Sequence, residues 1–167
     1  PVYDYVRERS TTSTSPSHYA ASIFKDITFD GLTFSGSVII NDYLEQAGTD
    51  GITFKNCTFQ GDVAQMTTNG FCGIGMKADT KFFKNVTVAD CSFTNYFQGI
   101  YVQGPENWVI KNCTFNGTTH NAIAMQNSRE NPVTGSITVK ENVIKKAGDR
   151  AVRLGNATNA AIVLENN

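Results

Sequence analysis

The sequence predicts an all-β solenoid, one chain wound into about five to six coils of short parallel strands. Two stretches carry the prediction first. Val86-Thr-Val-Ala-Asp-Cys-Ser-Phe93 is answered position for position, 22 residues later, by Trp108-Val-Ile-Lys-Asn-Cys-Thr-Phe115. A unit this short cannot bury an apolar face alone and does so by stacking on its neighbours. The same pattern recurs at Ile27, Ile52 and Ile137, and Ile162 begins a further copy. Intervals of 25, 34, 22, 29 and 25 residues separate the copies, so loops of varying length are inserted between fixed strands.

Taken in order, Val2 to Val6 alternates like a strand, and the Ser/Thr-rich run Ser10 to Ser17 reads as a solvated loop. Residues 1–26 are therefore expected to be an N-terminal strand and loop ahead of a repeat domain over 27–167. Within a copy, positions 1 and 3 are apolar and alternate as in a strand. A polar two-residue step turns the chain, and positions 6 and 8 belong to a second short strand. A third follows a loop, with inward pairs Val38/Ile40, Ile74/Met76, Ile100/Val102, Ile123/Met125 and Val152/Leu154. Each strand pairs with its counterpart one coil away. The result is three short parallel sheets around a narrow core.

This arrangement resembles the parallel β-helix repeat of the pectate-lyase-like superfamily over about residues 27–167. The resemblance implies a right-handed, single-stranded parallel β-helix. It implies no particular reaction, because that fold carries lyases, hydrolases, epimerases, phage tailspikes and inert stalks. In that family an inward Asn often fills position 6, which here reads Leu32, Cys57, Cys91, Cys113 and Asn142. Only Asn142 is expected to retain the amide. Position 8 reads Phe34, Phe59, Phe93, Phe115 and Ile144, an expected inward ladder spaced at about 4.8 Å per coil.

The charge is nearly balanced, 14 basic against 15 acidic residues, which argues against electrostatic binding of nucleic acid. No apolar run reaches the roughly 20 residues of a membrane span. The chain begins at Pro1, and we read it as a segment of a longer protein with neighbouring domains. Adjacent cysteines on three coils are expected to be free, buried fillers, since parallel Cβ vectors would not converge on a disulfide. No His joins their column and CxxC spacing is lacking, so neither a metal nor any other cofactor is expected. Five Asn-x-Ser/Thr triplets begin at Asn56, Asn85, Asn112, Asn116 and Asn156. At Asn56 and Asn112 the residue suits a tight turn.

In the resembled enzymes the substrate groove crosses the outer face of the third-strand sheet. The matching outward positions are Ser37/Ile39/Asn41, Gly73/Gly75/Lys77, Gly99/Tyr101/Gln103, Ala122/Ala124/Gln126 and Ala151/Arg153/Gly155. They make a shallow floor of small residues from which Tyr101 and Arg153 stand out. Tyr101 suits stacking on a sugar face and Arg153 suits a carboxylate. Three residues before the first inward apolar position stand His120 and Asp149, expected about one strand spacing apart and within hydrogen-bond reach. Asn121 and Arg150 follow in the next column. His120 and Asp149 are the catalytic candidates, and Tyr101, Arg150, Arg153, Gln103, Gln126 and Lys77 the candidate ligand-binding residues.

The polygalacturonase-like Asn-Thr-Asp, Gly-His-Gly and Arg-Ile-Lys motifs are missing, as is the Arg-x-Pro-x-x-Arg pattern of the lyases. No acidic cluster lines the outer third-strand face to hold calcium. The sequence therefore favours an extracellular or cell-surface scaffold or adhesive module, with a polysaccharide or cell-surface glycan as its partner. A fragment of a polysaccharide-acting enzyme is the alternative, and a phage tailspike segment a second.

Overall fold

A chain that turns every few residues needs backbone positions that tolerate a left-handed conformation, and Asn, Asp and Gly tolerate it best. The computed structural model describes residues 24–41, 49–77, 83–128, 131–157 and 159–167, so Val2–Val6 and the Ser/Thr-rich run lie outside the described residues. One corner of every coil is such a turn. Gly31, Asn56, Asp90, Asn112, Glu141 and Asn166 all have φ between 50° and 67° and stand in one column. Side chains bond along it: Asn56 Nδ2 donates to Asp30 Oδ1, beside Gly31, at 2.8 Å, and Asn112 Nδ2 to Asp90 Oδ1 at 3.3 Å. The tight-turn expectation for Asn56 and Asn112 holds.

Sixteen described strands form three parallel sheets. The first contains β1 (Phe24–Asp30), β4 (Thr49–Lys55), β7 (Phe83–Ala89), β10 (Pro105–Lys111), β13 (Thr134–Lys140) and β16 (Asn159–Glu165). The second contains β2 (Thr33–Ser35), β5 (Thr58–Gln60), β8 (Ser92–Tyr96), β11 (Thr114–Thr118) and β14 (Val143–Ala147). The third contains β3 (Val38–Asn41), β6 (Cys72–Lys77), β9 (Gln98–Gln103), β12 (Ile123–Gln126) and β15 (Val152–Leu154). Five complete coils and the first strand of a sixth result. The register is the one the repeat dictates, Val86 pairing with Trp108, Trp108 with Ile137 and Ile137 with Ile162. The first strand begins at Phe24, three residues earlier than the pattern implied.

Position 8 forms the core ladder. Phe34 and Phe59 stack at 4.9 Å between ring centroids, Phe59 and Phe93 at 4.5 Å, and Phe93 and Phe115 at 4.7 Å. Phe29 and Phe54 stack beside them at 5.0 Å. Expected core residues of the first and fifth coils are only partly covered, Phe34, Val38, Ile40, Val152 and Leu154 among them. Leu32 is 45% exposed, and Ile144 is half-buried. Among the described residues, these coils have a full neighbour on one side only. Ile162, Val163 and Leu164 are exposed for the same reason, β16 being bonded along one edge.

The position-6 column is a hydrogen-bond ladder in which thiols and amides do the same work. Asn142 Oδ1 accepts from Cys113 N–H at 2.9 Å, while its Nδ2 donates to Ile110 O at 3.2 Å one coil back. Cys91 Sγ accepts from Cys57 N–H at 3.4 Å, and Cys57 Sγ–H donates to Phe29 O at 3.4 Å. Asn142 is not alone in keeping the amide. Asn167 joins the column, its Oδ1 accepting from Asn142 Nδ2 at 2.7 Å and its Nδ2 donating to Val139 O at 2.9 Å.

All four cysteines are free and buried. Burial raises the thiols of Cys57 and Cys72, the latter to about 11. A hydrogen bond with Cys91, together with burial, pushes Cys113 up. The same hydrogen bond lowers Cys91, whose burial keeps reagents from it. A thiolate is the reactive form, so raised thiols at the other three and burial at all four are expected to make the folded protein resist thiol reagents. Kinetics of labelling by an aromatic disulfide check this. The expected course is slow reaction of the native chain and rapid reaction of all four thiols in denaturant. Rapid native labelling of Cys57, Cys91 or Cys113 would contradict the column.

Candidate functional site

The third sheet and the corner that leads into it carry the candidate residues. Three residues before the first inward apolar side chain of the third strand stand, from the second coil to the fifth, Phe71, Phe97, His120 and Asp149. Their backbones stack: Phe97 N–H donates to Phe71 O at 3.1 Å, His120 N–H to Phe97 O at 2.9 Å, and Asp149 N–H to His120 O at 3.0 Å. The stacking brings the side chains together. The imidazole of His120 lies on the Phe97 ring, 4.9 Å between centroids and 14° from parallel.

His120 Nε2 approaches Asp149 Oδ2 at 3.5 Å, and Arg150 Nη1 meets the same oxygen at 2.6 Å. The other imidazole nitrogen, Nδ1, contacts Asn121 Nδ2. Asn121 is fully buried, and its Oδ1 has no partner. With the amide donating, Nδ1 accepts and the ring proton sits on Nε2, facing Asp149. In this arrangement both ring nitrogens are engaged.

On the outer face of the sheet, Ile39, Gly75, Tyr101, Ala124 and Arg153 form one column in register. Lys77 Nζ stands 5.2 Å from the centroid of the Tyr101 ring, and Tyr101 shares a hydrogen bond with Gln103. Burial pushes the Tyr101 phenol above its usual range. Gln126 pairs with Gln103 in the next column. Two groups of candidates thus lie on adjoining surfaces, His120/Asp149/Arg150 at the corner and Lys77/Tyr101/Gln103/Gln126/Arg153 on the face.

The expected open floor is corrected. Gly73, Gly99 and Ala122 are not outward. A Cβ on Gly73 would stand 2.7 Å from Phe93 Cδ1, one on Gly99 would stand 2.6 Å from Phe115 Cδ1, and Ala122 belongs to the core. The glycines are required because the ring ladder fills the space their side chains would take. Gly75 and Ala124 are outward but buried, and a Cβ on Gly75 would meet Ile39 Cδ1 at 2.7 Å. Longer neighbours fold over the small residues. The face is a closed surface, not a trough.

Counting residues did not single out Phe71 and Phe97, although the offset that locates His120 locates them too. The loop over residues 61–71 was also missed. Its 3-10 turn at Val63–Gln65 is capped by Asp62, whose Oδ1 accepts from Ala64 N–H at 2.9 Å. The loop is tied along the solenoid by Thr119 Oγ1 donating to Met66 O. Among the described residues no three metal-ligating side chains converge.

A family model described as a right handed beta helix region matches residues 19–167. Neither a curated protein nor a solved structure gave a match.

Proposed function

Because this chain belongs to the right-handed β-helix family, a fold suited to a rigid scaffold or a polysaccharide-related module, we propose that it is a surface scaffold that holds acidic glycans weakly without transforming them. The observation that carries the proposal is the engagement of His120. A general base needs a free lone pair within reach of the proton it takes. Here one ring nitrogen contacts Asn121 and the other faces Asp149, which is itself paired with Arg150. What remains available is recognition. Arg150 and Arg153 offer guanidinium groups to a uronate carboxylate, and Tyr101 offers a ring edge to a sugar. An extracellular or cell-surface setting, where such glycans are presented, is part of the same proposal.

A closed, solvent-facing surface implies low affinity, on the order of 1 mM or about −4 kcal/mol. Titrating tri-galacturonate while following backbone amide shifts tests it. The amides of Tyr101, Arg150 and Arg153 are expected to move, and Arg150→Ala or Arg153→Ala should each weaken binding by roughly three- to tenfold. Shifts confined to the first sheet, or none at about 10 mM ligand, tenfold above the expected constant, would sink it.

The alternative, a fragment of a polysaccharide-acting enzyme, is favoured by one feature, the His120–Asp149 pair beside arginines. Under that reading His120→Ala would keep binding and abolish turnover.

A further inference from the structure

The side of the solenoid where coils 1 and 2 leave the second sheet holds a shallow, largely open cleft of about 610 Å³. Ser35, Gly36 and Ser37 line it from the first coil, and Gln60, Gly61, Asp62, Gln65 and Phe71 from the second. The capped loop 61–71 forms one wall. Beneath it the Tyr96 hydroxyl donates to Gly36 O at 2.6 Å, and the Tyr96 ring packs on Phe71 at 5.1 Å, so both sides of the cleft are fixed to the core.

The chemistry of the lining is distinctive. Two hydroxyls, two primary amides, a carboxylate and one aromatic ring line it, and none of the lining residues is Lys, Arg or His. Asp62 uses Oδ1 to cap the 3-10 turn, and its other oxygen is open to accept from hydroxyl groups. We propose that this cleft is a binding site for neutral saccharides. Hydroxyl, amide and carboxylate groups can each take part in hydrogen bonds with a polyol, while the Phe71 ring gives an apolar surface to the carbons of a pyranose. The lone carboxylate repels uronates, so the cleft is chemically opposite to the arginine-bearing region at Arg150 and Arg153. This site stands on its own residues and goes beyond the proposal for acidic glycans.

The test uses the full chain with β-linked glucose, xylose and mannose tetrasaccharides, and tri-galacturonate as the acidic counterpart. At least one neutral tetrasaccharide is expected to shift the amides of Gly36, Gly61 and Gln65 saturably, and tri-galacturonate to leave them in place. Asp62→Asn keeps an oxygen for the Ala64 amide but loses the charge. It should weaken the neutral ligand about tenfold, as should Gln65→Ala in an exposed position, with melting unchanged. No shift with any neutral tetrasaccharide, equal occupancy by tri-galacturonate, or binding that survives both substitutions would overturn the proposal. Cleft shifts alongside a silent Arg150 and Arg153 would instead reject the acidic-glycan reading and leave this one standing.

Discussion

Phe93→Ala is expected to lower the free energy of unfolding by about 3–5 kcal/mol, the range for emptying a fully buried Phe site. Phe93 is fully buried, with Phe59 stacked on one side and Phe115 on the other. Its removal takes a ring contact from each neighbour and leaves a void that the stacked sheets have little freedom to close. Denaturant melts of the two proteins measure the difference. A loss below about 1 kcal/mol would mean that the ladder does not carry the core. Phe34→Ala should cost less, since Phe34 is only partly buried in the first coil.

The second large effect is expected at Asn142. Asn142→Ala strips Cys113 N–H of its acceptor and Ile110 O of a donor, both buried, and releases Asn167 from the column. Leaving buried polar groups unpaired costs about 1–3 kcal/mol, and we expect the upper part of that range. Asn142→Cys separates the hydrogen bonds from the shape of the amide. If thiols and amides are interchangeable in this column, as Cys57 and Cys91 indicate, the cysteine variant should lose no more than about 1 kcal/mol. Equal losses in both variants would show that the amide does something a thiol cannot.

The strand order, the Phe column and the turn column were legible because each rests on a repeat that sequence preserves. Phe59, Phe93 and Phe115 occupy one position of one pattern, and parallel pairing converts that position into a stack. Gly73, Gly99 and Ala122 were misjudged for a physical reason. Strict alternation counted back from Ile74, Ile100 and Ile123 assigns them outward, but Ala122 is in the bend before β12, and Gly73 and Gly99 sit near the start of β6 and β9, where the regular pairing is interrupted between Cys72–Gln98 and Ile74–Ile100. A Cβ at Gly73 or Gly99 points at the rings instead. The loop 61–71 has no period to read, so neither its tether to Thr119 nor the cleft beside it could be found by counting. His120 and Asp149 were placed correctly next to each other, because the offset from the third strand is the same in both coils. The contact that changes their chemical meaning comes from Asn121, whose amide direction alternation does not specify.

Engagement of His120 predicts binding without reaction, and both can be followed in one sample. Tri-galacturonate is incubated with the wild-type chain at about 1 mM, near the expected dissociation constant, while protein amides and sugar protons are recorded together over days. The expected result is a lasting shift at Tyr101, Arg150 and Arg153 with every sugar signal unchanged. New reducing-end, unsaturated or epimerised sugar signals that grow with wild-type protein and not with His120→Ala would contradict it.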